Sequence, residues 1–484
     1  MSVDGQGSDA PDTSNSYRRF LAVGQQMPKQ SARQSDDQQR SAAAPSRQLW
    51  TSAACPVVDH DARHESEASS GCSVLSPRCV GIMAASGGIA VANLYYNQPM
   101  LPEIGRSFGV DADVIAVLPM LTQIGYALGL FLFVPLGDVV DRHRLVLSLL
   151  FGIIVSLLAL VFAPSLLWLD IASLTLGMTS AVAQVLVAFA AQLSPPQQRG
   201  RIIGTLQAGI IAAVLLARTL SGTVSAHFGW RPMFWLAAAM NLCALVVLHR
   251  VLRRTPPPAP QPYLRVLRSL KDLWRSYPQL RTSSLIGALL FAAFSVFWST
   301  LAFRLGEPPL GYGPQVAGLF GLLGAAGAAI APLAGRLTDT QGAGFTVAIG
   351  TVATAIAFVV FMLAGTSLVM LALGVIVLDV GIHAAMNGNQ SRVLSLAPQA
   401  TSRTNTIYMV LYFVGGALGS YTGGLAWHHF GWSGTTALGL LYSCAAVLVR
   451  FAAWMPATAG DDETDKGHSG ARSAIAAASA RDAR

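Results

Sequence analysis

Charge is scarce in this sequence. Of its 484 residues only 12% are Asp, Glu, Lys or Arg, against 53% hydrophobic, whereas soluble domains carry about 25% charge. That shortage excludes a string of soluble domains and points to a chain that lives in a bilayer. Cysteine is scarce too: Cys55, Cys72, Cys79, Cys243 and Cys444 form no C-x-x-C and no metal-ligand spacing, so neither a disulfide framework nor a metal site is expected. There is no Walker A string and no G-x-G-x-x-G after a strand, which disfavours ATP drive and a dinucleotide, and no cofactor is expected. The absence of H-E-x-x-H and G-x-S-x-G likewise argues against an enzyme. The net charge of +8 does not point to nucleic acid, because the basic residues lie between apolar segments rather than on one face.

What is present is a series of apolar stretches, each long enough to cross about 30 Å of hydrocarbon as a helix of about 20 residues. Twelve are read, near 80–101, 113–136, 145–163, 167–193, 202–226, 231–252, 283–304, 314–334, 344–364, 368–391, 404–427 and 433–454. Backbone polar groups must be satisfied inside the membrane, and the alternating ten-residue segments of a β-barrel are missing, so each span is predicted to be a helix. The fold class is all-α integral membrane. Flanking the spans, residues 1–76 and 455–484 are rich in small, polar and charged residues and are expected to be disordered.

Arg142, Arg144, Arg199, Arg201, Arg336, Arg392 and Arg403 fall on one side of the predicted spans. Joining them there is the middle loop of residues 253–282, with Arg265, Arg268, Lys271 and Arg275. The positive-inside rule makes this side cytoplasmic, with both termini inside and the chain a multi-pass protein of the cell's inner (plasma) membrane. The middle loop opens with T-P-P-P-A-P-Q-P and continues as a basic amphipathic stretch from Leu264 to Trp274, suited to a stiff linker followed by a helix on an anionic leaflet.

The loop divides the spans six and six, and the halves repeat. Leu193 and Leu396 open similar strings, Arg201 matches Arg403, Gly229-Trp230 matches Gly431-Trp432, and Asp138 matches Asp339, all at offsets of 201 to 203 residues. Four separated anchors at one offset indicate two homologous six-helix halves, 80–252 and 283–454, whose interface is where such transporters hold substrate.

V-P-L-G-D-V-V-D-R-H-R, after the second span, resembles the G-x-L-x-D-R-x-G-R-R/K loop of the major facilitator superfamily, with Asp138 and Arg142 at its Asp and Arg positions. G-R-L-T-D-T-Q-G, after the eighth, repeats its core with Gly335, Asp339 and Gly342, and R-G-R stands at Arg199 to Arg201. The first copy carries Val134 and Asp141 where the motif has glycines, and the fifth span lacks the G-P-x-x-G-G ending of drug/proton antiporters. The resemblance covers residues 80–454 and is strongest to the twelve-span, drug:proton antiporter-like bacterial branch. It implies alternating access in which Asp138, Arg142, Arg201, Gly335, Asp339, Gly342 and Arg403 form cytoplasmic gating loops. Those residues can equally serve only to fix topology and loop shape.

Two charges lie deep inside predicted spans, far from the ends. Asp379 is about eleven residues into the tenth span, where an ionised group is costly and should face the bundle interior. His383, Asn387 and Gln390 follow on the same helical face, so Asp379 with His383 is read as a proton-binding pair, or else as an interhelical hydrogen-bonding pair that does not titrate. Arg218, deep in the fifth span, needs an anion: Asp379 or an anionic substrate. Asn93, Tyr96, Asn97, Gln123, Tyr126, Gln184, Trp298, Asn405, Tyr408 and Tyr412 join Asn387 and Gln390 as candidate lining of a substrate cavity. Tyr95 and Trp427 are read as interfacial anchors.

The sequence therefore predicts a secondary transporter, working as a monomer in the lipid bilayer, that moves a small organic solute outward by proton antiport. The alternative is a non-transporting sensor or scaffold on the same fold, with residues 1–76 as its interaction arm.

Overall fold

The structure, a computed structural model, describes residues 76–195, 197–252, 262–364, 366–397 and 400–452. The expected N-terminal extension up to residue 75, the proline run of the linker to residue 261, and the C-terminal tail lie outside the described residues. The elements are α1 (Pro77–Ala92), α2 (Leu101–Phe108), α3 (Ala112–Ile115), α4 (Val117–Leu136), α5 (Arg142–Val161), α6 (Leu166–Ser180), α7 (Val182–Leu193), α8 (Arg199–Phe228), α9 (Trp230–Val251), α10 (Tyr263–Ser276), α11 (Pro278–Gly306), α12 (Pro314–Leu323), α13 (Ala325–Gln341), α14 (Ala343–Ala364), α15 (Leu368–Leu396) and α16 (Thr401–Ala452). There is no strand among the described residues. Nine of the described helical stretches are long and apolar enough to cross a membrane.

The twelve spans emerge from these elements once the breaks are understood. α16 is 52 residues long, about 78 Å if straight, but Gly431 has φ 59° and ψ −149°, a region open essentially to glycine alone. The chain folds back there: Thr422 and Tyr442 hydroxyls, 20 residues apart, meet at 3.1 Å. Its counterpart Gly229, at φ 87° and ψ 170°, turns α8 into α9 in the same way. The Gly-Trp repeat in the sequence is thus a repeated hinge.

Four further spans are interrupted instead of continuous, the second of them at Ala116 between α3 and α4. The first helix ends at Ala92, where the Asn93 amide donates to the Ala90 carbonyl at 3.1 Å, and a short 3-10 turn, Gln98–Met100, follows. The fourth span breaks between α6 and α7 at Ala181, and the eighth between α12 and α13 at Gly324. Freed backbone groups inside a membrane are tolerated where protein or a polar cavity surrounds them. The described spans pack with large apolar side chains such as Phe151, Leu167, Leu363 and Leu441 pointing outward, as a lipid-facing surface requires.

The two sets of helices close together on the face opposite the linker. Gly222 of α8 and Gly318 of α12 touch so closely that a Cβ on Gly222 would lie 2.9 Å from the Gly318 Cα, and the Thr219 hydroxyl donates to the Gly318 carbonyl at 3.0 Å. The Gln123 amide of α4 donates to the Ser420 hydroxyl of α16 at 3.0 Å. Asp113 of α3 pairs with His428 of α16 at 3.5 Å.

On the linker face, α10 buries Val266 and Leu270 against a bundle it contacts through α4, α11 and α16. Its basic residues Arg265, Arg268, Lys271 and Arg275 stay exposed. The Tyr263 hydroxyl donates to the Leu132 carbonyl at 2.9 Å. Val266 and Leu270 of the α10 apolar stripe are therefore engaged by protein, while Leu264 at its start is exposed.

Candidate functional site

A cavity of about 230 Å³ lies between the two sets of helices. It runs into a second space of about 380 Å³ toward the linker face, and Gln184, Gln207, Gln390 and Met409 line both. With the opposite face sealed by the contacts above, access to the cavity is from the linker side.

Arg218 stands at the sealed end of this cavity. The long helix α8 carries it, and Gly321 of α12 makes room for its stem, since a Cβ there would lie 2.9 Å from the Arg218 Cβ. Its guanidinium carbon sits 4.0 Å from the Trp298 ring centre, 4.8 Å from Tyr95 and 5.6 Å from Phe294. Nε donates to the Gln98 side-chain oxygen at 2.8 Å, while Nη2 is buried without a hydrogen-bond partner. Aromatic faces stabilise a desolvated cation by about 2 kcal/mol, yet they offer Nη2 no in-plane acceptor, so its capacity to pair with a carboxylate is unused.

Asp379 faces the same cavity from α15. It is 1% exposed, and its Oδ2 has no hydrogen-bond partner. The break at Gly324 lets the eighth span approach closely: a Cβ at Gly324 would sit 3.1 Å from Asp379 Oδ1, and one at Gly327 would sit 2.8 Å from the Asp379 carbonyl oxygen. One turn along, His383 Nδ1 lies 2.8 Å from that same carbonyl. Because a carbonyl only accepts, Nδ1 carries the proton in this contact and Nε2 is left to accept one. Arg218 and Asp379 form no ion pair among the described residues, although both open onto one space.

Of the residues singled out in the sequence, Tyr126, Gln184, Asn387, Gln390 and Tyr412 line the central cavity together with Arg218, Asp379 and His383. Asn405 lines the linker-side space and accepts from the Gln390 amide at 3.0 Å. Asn93, Tyr96, Asn97, Gln123, Trp298 and Tyr408 do not line it; all are buried between helices. Asn97 donates to Thr122 at 3.4 Å. Gln123 bridges the closed face, and Trp298 supports Arg218 from behind. Tyr95 and Trp427, read as interfacial anchors, are both 7% exposed. Tyr95 lies against Arg218, and Trp427 packs 6.1 Å from Phe303.

Gln207, Phe291, Phe294 and Phe413 line the cavity without having been singled out. Gln207, Ile211, Val214 and Arg218 fall on one helical face, at i, i+4, i+7 and i+11, so the stripe below Arg218 carried the signal for Gln207. The three phenylalanines carry no signal, since a buried Phe reads the same in a core or a cavity.

At the linker end, Arg142 holds its loop through three bonds. Nη2 meets Asp138 at 2.7 Å, Nε donates to the Gly137 carbonyl at 2.7 Å, and Nη1 donates to the Ala188 carbonyl of α7 at 2.9 Å. Asp138, Arg142 and Arg199 border the opening. In the second copy Gly342 takes φ 88°. Asp141, which replaces that glycine, instead caps α5 with its carboxylate accepting from the His143 amide at 3.0 Å. Gly335 is half-buried beside exposed Asp339, which makes no ion pair among the described residues, and Arg201 is exposed with Arg403 half-buried.

Comparison with known proteins agrees with this geometry. The family model described as Major Facilitator Superfamily matches residues 83–420. The uncharacterized transporter YgaY of Escherichia coli O157:H7 is 36% identical over 375 residues, 78% of this chain and 95% of that one. A probable transporter of Streptomyces coelicolor is 32% identical over 74% of this chain and 83% of its own. Among solved structures, a bacterial homologue of the human lysosomal transporter Spinster, in an inward-facing and unoccupied conformation, superposes with a TM-score of 0.61. That match has 16% identity and covers 78% of this chain and 98% of the other, so the likeness is one of fold. With twelve helical spans among the described residues, a repeated Gly-Trp hinge and a cavity between two sets of helices, the chain is a multi-pass membrane protein that belongs to the major facilitator superfamily.

Proposed function

We propose that this chain is a secondary active transporter and not an enzyme, exporting a small organic solute in exchange for protons by rocking halves 80–252 and 283–454 about the central cavity. The observation that carries this reading is a cavity reached from one face only, with a buried carboxylate and a buried guanidinium both open to it. The linker face is cytoplasmic in this reading, as the arginine-rich loops require in a bacterial inner membrane. Asp379 and His383 are the proton-coupling pair. An ionised carboxylate at that depth needs a cation on it, so a proton and a positively charged substrate group compete for one place. Arg142, fastened to Asp138, Gly137 and Ala188, holds the cytoplasmic loop in the present state. Closing that face rearranges this set of bonds.

The test is substrate-induced pH change in energised inverted vesicles across a panel of cationic drugs, sugars and amino acids. Wild type is expected to respond to its substrate, and Asp379→Asn to lose at least tenfold of the proton flux while still exchanging labelled substrate for unlabelled. Proton flux that survives in Asp379→Asn overturns the coupling assignment.

A further inference from the structure

Two charged side chains in the cavity each keep a polar atom without a hydrogen-bond partner among the described residues, and they carry opposite signs. Arg218, 1% exposed, has Nη2 without an acceptor, and Asp379, 1% exposed, has Oδ2 without a donor. Leaving either group uncompensated away from water costs several kcal/mol, and the two do not compensate each other by direct contact. Gly321 beside the Arg218 stem and Gly324 beside Asp379 give the two side chains room, and Arg218 from α8 and Asp379 from α15 line one cavity. The surface around them is apolar and aromatic, from Phe291, Phe294, Tyr412 and Phe413.

From this arrangement we infer that the substrate is a small zwitterion with a carboxylate, a protonated amine and an apolar or aromatic body. Its carboxylate pairs with Arg218 through Nη2 and its amine with Asp379 through Oδ2. A purely anionic solute leaves Asp379 without a partner, and a purely cationic one leaves Arg218 without one. The proposal rests on the transporter reading above and deepens it, because the amine then displaces the proton from Asp379 and exchange follows from occupancy. The charged and titratable groups facing Asp379 are Arg218 from α8, Tyr412 from α16 and His383 on its own helix. His383, one turn from Asp379 toward the linker face, has Nε2 left to take the displaced proton. No covalent bond is made or broken apart from this proton transfer from the Asp379 carboxyl to His383 or water.

The experiment measures binding to the full-length purified protein by competition with a radiolabelled ligand and by thermal shift. The probes are three triads built on leucine, phenylalanine and 4-(aminomethyl)benzoate, each as the parent zwitterion, the N-acetyl anion and the methyl ester cation. The last parent holds its charges further apart than the other two. In at least one triad the zwitterion is expected to bind tenfold or more tighter than both single-charge analogues. Arg218→Gln should erase its preference over the ester, and Asp379→Asn its preference over the N-acetyl anion. Arg218→Lys, which keeps the charge, serves where Arg218→Gln does not fold, and it should reduce the preference without abolishing it. Equal binding within every triad, a preference indifferent to both substitutions, or no binding by any probe overturns the proposal. A zwitterion preference in a protein that shows no exchange flux in proteoliposomes supports the ligand class while overturning the transporter reading.

Discussion

At the scale of single residues, the sequence exposed what hydropathy makes conspicuous and hid what it does not. Asp379 and Arg218 stood out because a charge in an apolar window is costly, and both line the cavity. Tyr95 did not, because an aromatic near the end of a span has the same sequence signature whether it meets headgroups or an arginine. Trp298 was noticed, yet its place behind Arg218 depends on how α11 packs against α8, which no periodicity within one helix reveals. Gln98 went unnoticed although its oxygen accepts the only hydrogen bond that Arg218 makes among the described residues. That bond is to a charged group and is worth about 1.5–3 kcal/mol. Gln98→Leu should therefore lower the thermal unfolding midpoint in detergent by several degrees. Gln98→Glu, which keeps an acceptor, should not; a midpoint that Gln98→Leu leaves unmoved would show that the guanidinium relies on its aromatic neighbours alone.

Elements were legible as spans and illegible as joints. Twelve apolar runs predict twelve helices because a membrane permits little else, but where a helix is interrupted depends on tertiary neighbours. The breaks after Ala92 and at Gly324 lie where Arg218 and Asp379 are accommodated, and a polar cavity there accepts groups that a continuous helix would have satisfied itself. Spans eight and eleven carry strings of glycine, which let membrane helices approach closely. The structure adds which face each one meets, and Gly318 meets α8 at the closed end. A Cβ at Gly318 would stand 2.5 Å from the Arg218 carbonyl oxygen, a contact that backbone cannot relieve by a rotamer change. Gly318→Val should thus favour the opposite access state, abolish exchange, and make outer-face positions reactive to polar reagents. Transport at the wild-type rate in Gly318→Val would show that the closed face is not part of the cycle.

The whole molecule is a duplication whose copies have diverged at the loops. Gly229 and Gly431 keep the same hinge, and Cys243 and Cys444, 201 residues apart, are both exposed on their helices. Asp141 and Gly342 have parted, one capping a helix and the other turning the chain through a positive φ. This asymmetry leaves the access direction to be read from the contacts between the halves, which join the face opposite the linker and leave the linker face open. If the linker side is cytoplasmic, a cavity residue is reachable from the cytoplasm and not from outside. A chain lacking residues 1–75 loses Cys55 and Cys72, Cys79→Ser removes the half-buried thiol of α1, and Cys243→Ser with Cys444→Ser removes the two exposed ones. Gln207→Cys in that background is expected to react with a membrane-impermeant maleimide at least tenfold faster in inverted vesicles than in right-side-out ones. Adding Gly318→Val should narrow or reverse that ratio. The same truncated chain separates transporter from scaffold: a transporter keeps its substrate flux without the arm, whereas a scaffold that signals through the arm loses its effect on the cell. Faster labelling from outside would invert the topology, because the thiol at position 207 sits where the two cavity spaces join and reports on whichever face is open.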